Sequence, residues 1–143
     1  MTMLRFGRDR MYWYHATSLA AAQAIASTGA LKPHPTDEPD DEDLPICGIY
    51  VTDTPRAAAY FGNILLRFAQ RPAAQAATSE WILVDPVPAH EIEWAWVDND
   101  EHNGRPASHY GDVLTPWCNL AREPPMQGQL ARHIKAARGV TWD

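Results

Sequence analysis

The apolar residues of this chain come in short runs, and no other feature limits the fold as much. Met11–His15, Gly48–Thr52, Ile64–Phe68, Trp81–Val84 and Glu91–Val97 are each under eight residues. They are rich in aromatic or β-branched side chains and are closed by turn or capping residues. Runs of that length suit strands and are too short for the helices of a bundle. Helical spacing shows clearly in two places. Thr17 or Ser18 supplies an N-cap, Leu19, Ala22, Ile25 and Ala26 recur on one helical face, and Gly29 fits the C-cap. Asp53 or Thr54 caps a second helix with Pro55 near its first position, and Ala57–Ala59, Tyr60 and Phe61 carry it to Gly62. Strand, helix, strand, helix and then mostly strands predicts an α+β fold rather than a doubly wound parallel sheet.

The stretches between are read as connections. Leu31–Pro33 leaves the first helix in an extended path, and Pro72–Thr78 is an alanine-rich connector. Asp85-Pro86-Val87-Pro88 stops the fourth strand, and Asp98–Gly111 is polar and loop-like. Gln129–Ala137 reads as a short helix with a basic character from Arg132 and Lys135, followed by Arg138. Residues 1–10 form a loose lead-in carrying Arg5, Arg8 and Arg10.

With 143 residues, the chain is expected to form a single domain spanning 1–143. Its 45% apolar content is enough for a core. Twelve Lys and Arg face 18 Asp and Glu, a net charge of −6, which argues against gripping nucleic acid by bulk charge alone. Asp37, Glu38, Asp40, Asp41, Glu42 and Asp43 account for that whole excess. Such a run repels itself, so 34–46 is expected to be a solvated acidic loop, either inert, a mobile flap over a site, or a contact for a basic partner. No window of eighteen apolar residues exists to span a membrane, and the N-terminus lacks the apolar segment of a secretory signal. A reduced cytoplasmic setting is the default expectation. Cys47 and Cys118 are too few for a disulfide framework or a zinc cluster.

Most familiar chemistries lack their signatures. Neither a G-x-G-x-x-G nor a P-loop pattern occurs. Histidines 15, 34, 90, 102, 109 and 133 show no metal-ligand spacing, so no metal is expected. No serine sits in a G-x-S-x-G context, and Cys47 has nothing nearby to activate it, so it is expected to be a small buried hydrophobe. Three placements stand out against this background. His15 lies at the end of an aromatic strand, where a polar side chain can face a cleft. Tyr50 in one strand and Tyr60 in the following helix can flank a flat heterocycle. Glu80 stands where the apolar strand Trp81–Val84 begins.

Together these stretches resemble the ADP-ribosyltransferase superfamily, in its H-Y-E branch. Tyr-His-Ala-Thr at 14–17 is similar to the first-strand histidine motif. Gly-Ile-Tyr-Val-Thr-Asp-Thr-Pro-Arg-Ala-Ala-Ala-Tyr at 48–60 resembles the poly(ADP-ribose) polymerase pattern of a strand tyrosine followed by a helical one. Ser-Glu-Trp-Ile-Leu-Val-Asp at 79–85 resembles the strand that opens with the catalytic glutamate, and the run Glu80–Ile92 is similar to DNA-modifying toxins of the DarT type. The resemblance covers roughly residues 12–97. It implies a split antiparallel β-sheet core with a few short helices, and NAD as co-substrate. His15 would bond ribose hydroxyls, the backbone at Ala16 would pair with the nicotinamide amide, Thr17 would also belong to the NAD-binding set, and Tyr50 and Tyr60 would pack on the nicotinamide ring. Glu80 would bond the 2′-hydroxyl of the nicotinamide ribose, with Asp85 the fallback if the register slips by one. Where the family usually has glycine after the histidine, this chain has Ala16.

The implied reaction is transfer of one ADP-ribose unit to a nucleic acid or protein acceptor, with an antitoxin or immunity protein as an expected partner by family likeness. Arg5, Arg8, Arg10, Arg67 and Arg71, with Arg132, Lys135 and Arg138, could form a basic face for such an acceptor. Two alternatives stay open. One is an RNA 2′-phosphotransferase, which also consumes NAD but needs a cluster of basic residues near His15. The other is a module that binds NAD or ADP-ribose without transfer.

Overall fold

The computed structural model describes residues 12–35, 47–98 and 111–126. The lead-in at 1–10, the acidic run at 37–43, most of the loop at 98–111 and the basic helix at 129–137 lie outside the described residues.

Strand β1 spans Trp13–Thr17 and passes directly into helix α1, Leu19–Thr28. Ser18 is the N-cap, its hydroxyl accepting from the Ala21 backbone amide. Gly29 ends the helix in the left-handed region at φ 94°, which a side chain would disfavour. Short strands β2 (Ala30–Leu31) and β3 (His34–Pro35) follow, then β4, Cys47–Thr52. Thr54 caps helix α2, Pro55–Ala58, whose first residue is the expected proline. The α-helix ends there, and Ala59–Phe61 continue as a 3-10 turn. Strand β5 is Ile64–Phe68 and β6 is Ala74–Ala77, so the expected connector carries an edge strand instead. Strand β7 is Glu80–Leu83 and β8 is Val87–Pro88. A 3-10 turn at Ala89–Glu91 leads to β9, Glu93–Trp96, and β10 is Cys118–Asn119.

The main sheet runs β10-β9-β5-β1-β4-β7-β6, with β3 pairing beside β4, while β2 and β8 form a separate two-stranded ribbon. The strand pairs are antiparallel, so the α+β reading holds. Alternation along each strand divides the side chains between two faces. One face carries Ile49, Val51, Ile64, Leu66, Phe68, Leu83 and Trp94, against which α1 sets Ala22, Leu19, Ile25 and Ala26. Burial of these large side chains, at about 1.5–3 kcal/mol each, is the main favourable term in folding. The other face carries Ala16, Leu65 and Val97 under Ala58 and Ala59. This second core is small because α2 and its 3-10 turn cover only part of the face. Among the described residues the rest of this face carries no helix, and the cavity lies there.

Pairing along the sheet is uneven. Strands β1 and β5 are in register over five residue pairs, from Trp13↔Phe68 to Thr17↔Ile64. Strands β1 and β4 share one pair, Tyr14↔Thr52. The sheet therefore opens into a seam between β1 and β4. Beneath it, on the main-core face, Trp13 and Trp81 meet edge to face with ring centroids 5.0 Å apart. Gly62 fixes the nearby turn to the end of β1, since a Cβ there would come within 2.3 Å of the Thr17 carbonyl oxygen. No helix among the described residues is long and apolar enough to cross a membrane.

Candidate functional site

The seam forms one wall of a cavity of about 320 Å³, at the lower end of small-molecule sites. Tyr14, His15 and Ala16 from β1 line it, with Tyr50 and Thr52 from β4, Glu80 from β7, Ala58 from α2, and Phe61. Register explains why these residues meet. Tyr14 pairs with Thr52 and Thr52 pairs with Glu80, so three adjacent strands present them on one face. Two positions along, Ala16 and Tyr50 project from that same face.

His15 breaks the alternation. Its neighbours Tyr14 and Ala16 project from the cavity face, which would place His15 with the main core. Because β1 and β4 separate after Tyr14, the ring occupies the opening, and its Nδ1 lies 2.7 Å from the Tyr50 carbonyl oxygen. A carbonyl only accepts, so Nδ1 carries the proton. Burial is the chief cause holding the His15 pKa below its ordinary value; the Tyr50 hydrogen bond opposes it, and nearby His34 adds to the lowering. The neutral ring is therefore the favoured form, and Nε2 is left as an acceptor for a hydroxyl donor.

Glu80 is half-buried at the first position of β7. The strand starts one residue earlier than the apolar run suggests, which brings the acid into the ladder opposite Thr52. Tyr50 is half-buried between the seam and β7. The Thr52 hydroxyl donates to the Thr54 carbonyl at 2.7 Å and ties the strand end to the cap of α2.

Other expected residues sit elsewhere. Tyr60 is 70% exposed, and its neighbour Phe61 lines the cavity. The change from α to 3-10 geometry after Ala58 accounts for this, because each 3-10 residue turns about 120° rather than 100°. Thr17 closes β1 and packs against Gly62. Asp85 is exposed beyond the far end of β7, where its carbonyl accepts from Gln70. Cys47 is exposed at the start of β4, not buried as expected, because it pairs with Pro35 near the sheet margin. Cys118 is also a free thiol. Four cavity residues were not singled out as site residues in the sequence: Tyr14, Thr52, Ala58 and Phe61. Strand alternation carries a signal for the first two, since they lie two positions from Ala16 and Tyr50.

On this face the cavity adjoins an ion pair flanked by aromatic rings. Tyr14 pairs across β1 and β5 with Arg67, whose Nε lies 2.7 Å from Glu93 Oε1. The Arg67 guanidinium carbon sits 4.2 Å from the Tyr12 ring centre and 4.0 Å from that of Trp117. Burial is the main cause raising the Tyr14 pKa, with Arg67 acting in the opposite direction. Among the described residues, no three His, Cys, Asp or Glu side chains cluster as a metal site requires.

The arrangement can hold a flat ring among Tyr14, Tyr50 and Phe61, accept a hydrogen bond from a hydroxyl at His15 Nε2, and set a carboxylate in the same cavity. Comparison of the chain with protein-family models, with curated proteins and with solved structures finds no match.

Proposed function

We propose that this chain is an NAD-dependent ADP-ribosyltransferase of the H-Y-E type, transferring one ADP-ribose unit to a nucleic acid or protein acceptor in the manner of a toxin. The observation that carries the proposal is the meeting of His15, Tyr50 and Glu80 at one cavity, from three separate stretches of chain on β1, β4 and β7. The seam between β1 and β4 further supports a split-sheet architecture of the ADP-ribosyltransferase kind.

NAD enters this reaction as a substrate. Its nicotinamide half suits the cavity: aromatic and methyl groups for the ring, an imidazole acceptor for a ribose hydroxyl, and a carboxylate for the sugar. Tyr50, with Tyr14 and Phe61, holds the ring and excludes water, which limits hydrolysis. The backbone at Ala16 pairs with the carboxamide. His15 Nε2 accepts from a ribose hydroxyl, and Nδ1 keeps the imidazole fixed on the Tyr50 carbonyl.

In the chemical step, the bond between the sugar C1′ and the pyridinium nitrogen breaks. Both electrons leave with nicotinamide, whose ring charge is thereby neutralised. Positive charge appears on the ribose as an oxocarbenium-like centre. Glu80 accepts a hydrogen bond from the 2′-hydroxyl, and its negative charge gains most as that positive charge develops, so it favours the transition state over the ground state. An acceptor lone pair then forms the new bond to C1′, and the acceptor proton passes to solvent.

An RNA 2′-phosphotransferase needs cationic side chains at the phosphate, and neither lysine nor arginine is among the described residues lining the cavity. The deciding experiment incubates labelled NAD with the protein and, in turn, DNA, RNA or protein. Nicotinamide release with label on one acceptor supports transfer. Release alike in every condition marks a glycohydrolase. NAD binding without release marks a binding module, and the proposal fails.

A further inference from the structure

The cavity belongs to a longer polar row. Register places Glu80 opposite Thr52, Thr52 opposite Tyr14, Tyr14 opposite Arg67, and Arg67 opposite Glu93. Directly opposed residues project from the same face. A line of acid, hydroxyl, phenol, guanidinium and acid therefore crosses five strands. Three strand spacings, about 14 Å, separate Glu80 from Arg67.

The environment of Arg67 is more elaborate than a surface ion pair requires. Tyr12 and Trp117 both lie within 4.2 Å of the guanidinium carbon. Two aromatic rings therefore flank the guanidinium at close range. Nε–H is committed to Glu93. What is left is the fork of terminal amino groups, which make no hydrogen bond among the described residues. The Arg67 side chain keeps 20% of its exposure. Tyr12 and Trp117 are both half-buried, so each retains an outer surface.

We propose that the Tyr12–Arg67–Trp117 stack is the acceptor-docking site, and that its ligand is an unpaired nucleic-acid strand. This deepens the transferase reading and rests on it for the word acceptor. A guanidinium flanked by aromatic rings, with its terminal fork unbonded among the described residues, suits a forked oxyanion. The rings on either side offer stacking surfaces. Their order, aromatic–cation–aromatic, matches base–phosphate–base along a single strand. A duplex hides its base faces and calls for broad positive charge, which a chain of net charge −6 does not supply. An acidic peptide offers the oxyanion but has no flat groups for the flanking rings.

Fluorescence anisotropy of a labelled mixed-sequence single strand, DNA and RNA in separate arms, tests this across a salt series without NAD. The wild-type chain binds, and a matched duplex binds more weakly. Arg67→Gln weakens strand binding roughly ten-fold and flattens the slope of log affinity against log salt by about 0.7. Arg67→Lys keeps the charge and still loses several-fold, because the fork and the stack are gone. Glu93→Gln releases the guanidinium from its internal anion and tightens binding. That last result separates ligand binding from a structural role, for which loss of either partner would be equally harmful. Circular dichroism confirms that each variant is folded. Binding unchanged in Arg67→Gln, weakened in Glu93→Gln, absent from the folded wild type, or displaced by a poly-glutamate peptide at equal charge would overturn the proposal. Nicotinamide release is read separately. If it is absent while strand binding behaves as described, the transferase reading fails and the docking site stands.

Discussion

Glu80→Gln isolates the charge of the carboxylate from its shape. Glutamine keeps the length of the side chain, its half-buried position at the head of β7 and its ability to accept from a ribose hydroxyl. The negative charge is lost, and one acceptor oxygen becomes an amide donor. For two unit charges about 4 Å apart in a half-buried site, where the effective dielectric is near 20, the attraction is about 4 kcal/mol. The sugar develops only part of a unit charge at the transition state, so about 2–4 kcal/mol is the fitting range. At about 1.4 kcal/mol per ten-fold, the substitution should slow nicotinamide release roughly 30- to 1000-fold. The KM for NAD should change little, because the charge matters least in the ground state. The assay is single-turnover release of nicotinamide, with NAD binding followed by thermal shift. If folded Glu80→Gln released nicotinamide within three-fold of wild type, the electrostatic role given to Glu80 would be wrong. A parallel fall in binding and rate would instead assign Glu80 to uniform substrate binding.

Other outcomes follow from the same structure. His15 has a depressed pKa, so as pH falls below the ordinary histidine value the unfolded chain takes up the proton first. Stability should therefore be full above about pH 6.5, decline as pH falls toward the folded pKa, and level off below it; His15→Gln should lose that component in urea melts run across pH. Gly62→Ala places a methyl carbon against the Thr17 carbonyl and should cost about 1–3 kcal/mol by denaturant midpoint, where a neutral result would show that the turn can shift. Trp94→Phe leaves the Glu123 carbonyl without its indole donor and opens space in the main core, so a loss of about 1–3 kcal/mol is expected in chemical melts. Tyr60→Ala should leave stability within about 0.5 kcal/mol, since that ring is 70% exposed; a larger fall in the thermal midpoint would place it in the packing.

Local chemistry made the frame legible. Ser18, Gly29, Thr54 and Pro55 each mark a helix end by a short-range rule, and each serves as its composition implies. The strands that make the core are those with dense aromatic and aliphatic side chains, because their burial dominates the energy. Ala74–Ala77 escaped notice because alanine carries little strand preference; it pairs because β7 beside it supplies a partner ladder. The two-residue strands β2, β3, β8 and β10 have no local signal at all, since long-range pairing alone creates them. At the site, His15, Tyr50 and Glu80 were readable as a set through resemblance to a family. The exchange of Tyr60 for Phe61 was not, because it turns on where an α-helix tightens. Arg67 was visible only as one charge among several, and its aromatic neighbours come from Tyr12 and Trp117, at opposite ends of the described chain.

The imidazole–carbonyl bond at the seam has a consequence for what can change at position 15. In a continuous ladder, the Tyr50 carbonyl would look to a backbone amide for its proton. Here a side chain satisfies it, and the strands on either side are spared from zipping together. His15 acts as a wedge whose removal invites closure. A residue there that favours strand pairing would heal the sheet and erase the cleft in the same stroke, so this position sets firmness of the fold against access to the pocket.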